Sequence, residues 1–464
     1  MRRTAVLCAA SALAVTILAP HARAQGFSVY EHDACAMARA GAGVAAPCNS
    51  ASAVFFNPAG VLGSLKQPWN FQAGVTLIAP RGSFTDSASR TVTNLNKKTF
   101  PVPFGYLTRQ LGPRLAAGIG VFAPYGLTTD WPTTSPGRYM AYKTSIATFY
   151  VQPTVAAELM PGLQLGVGVD YVHSTAQVHR RIDASQVGER VSGQTIYLSM
   201  LGVPAGTDFA DAVFDVSGNG WGGHAGVLVK LTDRISLGAR YLSQVKVNFT
   251  GTAKFTPVPT GITLAAGNPF GVPGGATLDQ VLSVGFLADS ALSNRSASTS
   301  VTMPWQVVAG VALKVTRDLT LVGDWQYTNW AAFKTLDLKI SSPDTTISEY
   351  ENYGNTNAFR VGFDWQGGGG FVIRGGFLTH NGASPVENVT QILPEGRRYE
   401  GTIGVGIPVS AMLHLDLGYQ YVKQLDRHGR VIDPPAGLTP TPALNTGLFN
   451  FSANLFSASV ALAF

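Results

Sequence analysis

LTLVGDWQYTNW, residues 319–330, carries the pattern on which the fold turns. Leu319, Leu321, Gly323, Trp325 and Tyr327 fall on one face of an extended chain, with Thr320, Asp324, Gln326 and Thr328 on the other. Successive strand side chains point to opposite faces. Apolar alternating with polar therefore predicts a strand between an apolar medium and a wet or filled interior. Three more stretches repeat the pattern. Leu413, Leu415, Leu417, Tyr419 and Tyr421 oppose His414, Asp416, Gly418 and Gln420. Phe359, Val361, Phe363 and Trp365 oppose Arg360, Gly362 and Asp364. Leu163, Leu165, Val167, Val169 and Tyr171 oppose Gln164, Gly166, Gly168 and Asp170.

Composition says which medium the apolar faces meet. Of 464 residues only 13% are charged, against about a quarter in ordinary soluble domains. A soluble sandwich would carry more charge on its outer faces. The chain is 45% hydrophobic, which excludes disorder. Beyond the N-terminus there is no apolar run long enough for a spanning helix. In lipid the remaining solution is a closed barrel, because only helices and closed barrels satisfy every backbone hydrogen bond.

About 14 strand-like segments follow residue 64, an even number as bacterial barrels require. Short connections fall at Leu111-Gly112-Pro113, Met160-Pro161-Gly162, Thr232-Asp233-Arg234, Thr316-Arg317-Asp318, residues 367–370 and Val409-Ser410-Ala411. Long ones fall near 81–98, 126–138, 182–219, 257–298, 341–355, 380–395 and 426–448. Short periplasmic turns alternating with long extracellular loops are the barrel pattern. The expected fold class is all-β, a 14-stranded antiparallel transmembrane barrel.

The N-terminus agrees. Arg2 and Arg3, an apolar stretch over 5–19, and Ala22-Arg23-Ala24 fit a signal peptide of residues 1–24. Its removal lowers the formal net charge from +6 to +3, taking Arg2, Arg3 and Arg23. No basic run accompanies that charge, so nucleic acid is not an expected partner. Cys35 and Cys48 can pair in the periplasm or stay as two thiols. No cofactor motif or Cys/His metal cluster stands out. At the other end Phe456, Ala458, Val460, Leu462 and Phe464 share a face. A terminal aromatic on such a face suits recognition by the barrel assembly machinery.

Residues 25–63 do not alternate. They are rich in Ala and Gly and precede the first strand. A barrel of this size has a lumen too wide for wall side chains to fill, so this segment is expected to fold back inside as a plug.

Here the chain resembles the FadL/TodX outer-membrane transporters of long-chain fatty acids and other hydrophobic compounds. The resemblance rests on Gly26-Phe27, on Arg39-Ala40-Gly41-Ala42-Gly43, and above all on Ala53-Val54-Phe55-Phe56-Asn57-Pro58-Ala59-Gly60. Pro124-Tyr125-Gly126-Leu127, Gly137-Arg138-Tyr139 and the terminal Phe464 echo it. The Cys35/Cys48 pair is outside the family pattern. The resemblance implies a barrel of residues 64–464 closed by an N-terminal hatch of 25–63. It also implies an apolar groove among the extracellular loops, a pocket by the hatch N-terminus, and a lateral exit at a kink in the third strand. It implies a monomer in the outer membrane, among lipid and lipopolysaccharide, that takes up hydrophobic small molecules passively and is no enzyme. Long-chain fatty acids are the first expected cargo and aromatic hydrocarbons the next.

The candidate site residues follow. Phe27 matches the hatch residue beside the inner pocket. Asn57, Pro58 and Ala59 are expected to fix the hatch fold, with the Asn side chain bonding backbone. Gly118, Gly120 and Pro124 mark the kinked strand, since Gly and Pro weaken ladders. In the long loops Phe209 and Phe214, and Leu278, Leu282 and Phe286 at helical spacing with Val281, offer an apolar landing surface or a mutually packed lid. Arg360 and Arg374 face the lumen by alternation, with Arg240 and Asp170, Asp324, Asp364 and Asp416. They suit either a cargo carboxylate or an internal ion-pair lattice between hatch and wall. Three rival functions remain open: a porin for polar solutes, an adhesion or structural barrel, and a lipase-type enzyme. For the last, no nucleophile motif stands out.

Overall fold

The computed structural model describes residues 26–48, 51–64, 67–191, 194–265, 274–341, 345–435 and 438–464. The expected leader, residues 1–24, lies outside them. Fourteen antiparallel strands close into a barrel. They are β1 Trp69–Asp86, β2 Phe100–Gly112, β3 in two pieces (Leu115–Phe122 and Gly126–Asp130), β4 Lys143–Met160 and β5 Leu163–Asp183. Next come β6 Asp208–Lys230, β7 in Ile235–Leu242 and Val245–Pro257, β8 in Arg295–Met303 and Gln306–Lys314, and β9 Leu319–Thr328. The series ends with β10 Thr356–Gln366, β11 Val372–His380, β12 Arg398–Pro408, β13 Leu413–Gln424 and β14 Gly447–Ala463. A hairpin of Thr335–Ile340 and Thr345–Tyr350 extends the wall between β9 and β10 on the long-loop side.

Closure is by β1 on β14 over their full length, Asn70 opposite Ala463 through Asp86 opposite Gly447. The seam is tied at its end by Trp69 N–H to Phe464 O, 2.9 Å, and Phe464 N–H to Trp69 O, 3.0 Å. A closed ladder leaves no free sheet edge at the seam. Leu321, Trp325, Phe359, Val361, Trp365, Phe456 and Val460 are exposed on the outer face, whereas Asp324, Gln326, Arg360 and Asp416 are buried inside. Alternation thus sorts side chains between lipid and lumen as the sequence pattern required.

Strands run further than the loop boundaries expected from sequence. Phe209 and Phe214 are part of β6, not of a loop, because β5 and β6 pair up to Asp183 and Asp208, with a bulge at Phe209.

Residues 26–48 and 51–64 are mostly buried and pack against wall residues. Two short helices, Ala34–Ala38 and Ala53–Phe56, and a 3-10 turn, Pro58–Ser64, carry mostly buried residues. Asp33 caps the first helix by accepting from Cys35 N–H at 3.0 Å. Cys35 and Cys48 form a disulfide, Cα–Cα 6.3 Å. Inward glycines make the seat for this segment. A Cβ on Gly166 or Gly226 would collide with Pro58, on Gly238 or Gly310 with Val44, on Gly362 with Arg39, and on Gly404 with Ala38. These positions belong to β5, β6, β7, β8, β10 and β12. Missing side chains around much of the circumference therefore let backbone approach backbone.

Candidate functional site

Polar groups lock the luminal segment to the wall. Asn57 donates through Nδ2 to Val44 O at 2.7 Å and Val227 O at 2.9 Å, and its Oδ1 accepts from Ala59 N–H at 3.1 Å. Pro58 and Ala59 continue into the turn pressed on Gly166. Asp324 accepts from Gly43 N–H at 2.8 Å and Val44 N–H at 3.1 Å. Arg39 pairs with Asp364 at 3.0 Å, and Arg374 with Asp364 at 3.2 Å and Asp416 at 2.6 Å. Arg360 donates to Gln326 at 2.8 Å and stacks 4.6 Å above the Tyr30 ring. Arg374 and Arg360 are therefore turned toward wall carboxylates and the luminal segment. Neither lines the cavities described next. Buried charges are stable only when paired, and both are engaged with partners of the wall or the segment.

Beside the segment lies an apolar cavity. Phe27, Phe214, Val216, Val301, Phe333 and Leu393 line it. Phe27 is held at both ends. The Gly26 N–H donates to Glu395 Oε1 at 2.9 Å. The Phe27 ring packs edge-on against Trp330, 4.7 Å between centroids, and Phe333, 5.9 Å. Gly26 adopts φ +60°, and a Cβ there would lie 2.5 Å from the Trp330 ring, so only glycine fits.

A second cavity shares Phe27, Leu127, Ile146 and Leu393 with the first and reaches Pro101, Pro103 and Phe149 of the wall. One corner is polar. Glu31 and Glu400 both accept from Gln420, and the Tyr30 hydroxyl lies 3.3 Å from Glu400. Burial, then Glu400, pushes Glu31 up to about 7. The far side of this cavity is a break in the barrel. β3 stops at Phe122 and resumes at Gly126. Its lower piece pairs with β2 from Gly105 opposite Val121 downward, and its upper piece pairs only with β4. Phe100 to Phe104 of β2 pair with β1 alone. Above the break Asn96 N–H reaches Asp130 O at 2.8 Å, closing the opening at its top. The luminal segment binds the break from inside, Val29 N–H to Pro124 O at 2.8 Å and Gly126 N–H to Phe27 O at 2.9 Å.

Pro124 sits in that break, but Gly118 and Gly120 do not. They belong to the regular lower piece, where a Cβ would lie 3.0 Å from Val54. In the wall they face Val54. Sequence reasoning missed Ala123 at the break and Pro101 and Pro103 on its β2 edge, all lining the second cavity. The signal was present in Phe100-Pro101-Val102-Pro103-Phe104. Proline lacks the amide a ladder needs and is confined to edges.

The extracellular loops bury one another. Leu278 and Phe209 are buried together with Leu198 and Leu264, and Leu282 and Phe286 pack against them. Thr277 caps the helix Leu278–Leu282 through a capping box. Phe214 lies deeper and lines the first cavity. Asp33, Cys35 and Cys48 lie together, but the sulfurs are joined and Asp33 accepts from Ser52 and Gln72. That grouping is structural.

A closed 14-stranded barrel with an apolar outer face defines a membrane β-barrel. Residues 15–464 match the family model for outer membrane protein transport proteins (OMPP1/FadL/TodX). The chain belongs to that family, whose members sit in the Gram-negative outer membrane. It is 24% identical over 432 residues to a long-chain fatty acid transport protein of Salmonella typhi, covering 91% of this chain and 92% of that one. It is 23% identical over 439 residues to the same-named protein of Escherichia coli, with 91% and 93% coverage. A Pseudomonas aeruginosa FadL homologue superposes with TM-score 0.77 at 20% identity, covering 95% of this chain and all of that one. The Pseudomonas putida toluene transporter TodX gives 0.67 at 16% identity, with coverage of 95% and 99%. These similarities establish the shared fold.

Proposed function

We propose that the protein carries hydrophobic molecules passively across the outer membrane, with residues 25–63 as a hatch and 64–464 as the barrel. Cargo meets the extracellular loops, enters the upper cavity at Phe27, passes to the second cavity, and leaves sideways through the break between β2 and β3. Long-chain fatty acids and aromatic hydrocarbons are the cargo classes. The observation that carries this reading is the continuity of apolar lining from Phe27 to Ala123, Pro101 and Phe149, the last exposed on the outer wall. The hatch blocks the straight route, and the break offers a short one into lipid. This favours a carrier of apolar solutes over a porin, which needs an open axial path.

The test is Ala123→Trp in reconstituted vesicles, following transfer of a fluorescent hydrophobic probe. Ala123 is buried at the break, and an indole there fills the opening. Transfer is expected to fall at least tenfold with the barrel still folded in gel-shift assays. Wild-type transfer by this variant refutes the lateral route.

A further inference from the structure

Among the described residues, the upper cavity is lined by one carboxyl group and no cation. Among its lining residues there is no Lys, Arg or His, and Glu351 is the only acid. Glu351 follows the Thr345–Tyr350 strand and is held by its backbone, its N–H donating to Lys334 O at 2.9 Å. Its neighbour Tyr353 also lines the cavity and donates its N–H to Phe333 O at 3.0 Å. Both are buried. The titratable and charged groups around Glu351 come from several elements: Glu349 on the preceding strand, the Tyr353 hydroxyl, Glu395 in the 381–397 loop, and Arg430 beyond β13. Nearby cations are engaged elsewhere. Arg180 faces Glu349 at 4.0 Å, and Arg430 donates to Glu387 O at 3.1 Å and lies 3.4 Å from Asp433.

We propose that Glu351 sets the charge selectivity of this cavity, admitting uncharged cargo and turning carboxylates away. The inference rests on the carrier reading above and deepens it. A carboxylate entering the cavity loses its water and finds no counter-charge. A neutral molecule loses little. A protonated Glu351 also offers an O–H donor to the one polar atom of an alcohol, an ester or a protonated fatty acid. Burial, aided by Glu349, pushes Glu351 up to about 8, so the donor is present at neutral pH. Above pH 8 the group ionises, the cavity gains a charge, and apolar binding weakens. On this account fatty acids pass the cavity in their protonated form.

The test uses the purified full chain in amphipol, with binding read from tryptophan fluorescence, since Trp330 touches Phe27. The probes are 1-decanol and decanoate, equal in chain length and different in charge. At pH 7 decanol is expected to bind at least tenfold tighter. Between pH 7 and pH 9 decanol affinity falls about tenfold, the loss of the neutral fraction of a group titrating near 8. Glu351→Gln keeps a hydrogen-bond donor that does not ionise, so it holds decanol and flattens that profile. Glu351→Lys reverses the order and makes decanoate the tighter probe. Decanoate binding as tightly as decanol to the wild type overturns the inference alone, as does a pH profile identical in wild type and Glu351→Gln. Binding of neither probe overturns the carrier reading and this inference with it.

Discussion

Replacing Asn57 by Ala should loosen the luminal segment while leaving the barrel intact. Asn57 is fully buried and makes three hydrogen bonds, two to carbonyls at 2.7 and 2.9 Å and one from an amide at 3.1 Å. The Val44 bond joins two parts of the segment, and the Val227 bond joins segment to β6. A net contribution near 1 kcal/mol per bond gives about 3 kcal/mol, before any further cost for partners left unpaired. That corresponds to roughly a hundredfold in the equilibrium for local opening. The assay is hydrogen exchange by mass spectrometry on the purified protein. Peptides covering 41–62 should lose about two decades of protection, and peptides of β9 and β10 should keep theirs. Planar-bilayer recordings should show brief conducting events absent from wild type. Unchanged exchange across 41–62 would refute the view that Asn57 locks the segment. Faster exchange across the strands as well would make Asn57 a support of the whole barrel instead.

Cys35→Ser with Cys48→Ser removes a cross-link spanning 13 residues of sequence, worth roughly 3 kcal/mol in the chain-entropy model. Exchange should rise between Ala34 and Cys48 while the barrel's melting temperature holds, and a lowered barrel melt would argue against separable units. Gly118→Leu and Gly120→Leu should keep the gel shift of a folded barrel but displace Val54, seen as new protease sensitivity in the luminal segment. Wild-type resistance in both variants would show that the seat tolerates bulk. Pro101→Thr with Pro103→Thr restores two amide donors to the β2 edge and should slow probe transfer several-fold, and an unaltered rate would remove that edge from the route.

The barrel was legible because its rule is local. Lipid outside and a packed lumen inside impose a two-residue period, and residues 319–330 display it without reference to distant chain. The backbone bonding of the Asn57 side chain was legible for a similar reason, since an Asn before Pro and small residues bonds backbone. The upper cavity was not legible. Phe27, Phe214, Glu351 and Leu393 come from four parts of the chain, and only closure of the ladder brings them together. The apolar helix at Leu278 to Leu282 shows the converse limit. Its spacing correctly signalled a helix, but its apolar face is covered by Leu198, Leu264 and Phe209. Periodicity reports that a face is apolar, not what covers it. Arg360 and Arg374 were placed inside by parity alone. Parity does not say whether a neighbouring charge already occupies them.

The inward glycines carry a consequence for exchange between relatives. Fit here is written in absences: bare backbone at Gly166, Gly226, Gly238, Gly310, Gly362 and Gly404 mirrors the relief of Pro58, Val44, Arg39 and Ala38. A luminal segment grafted from another member of the family would bring its own relief into a mould cast for this one. Chimeras should therefore succeed when the bare positions travel with the graft, and fail when only the visible contact partners do.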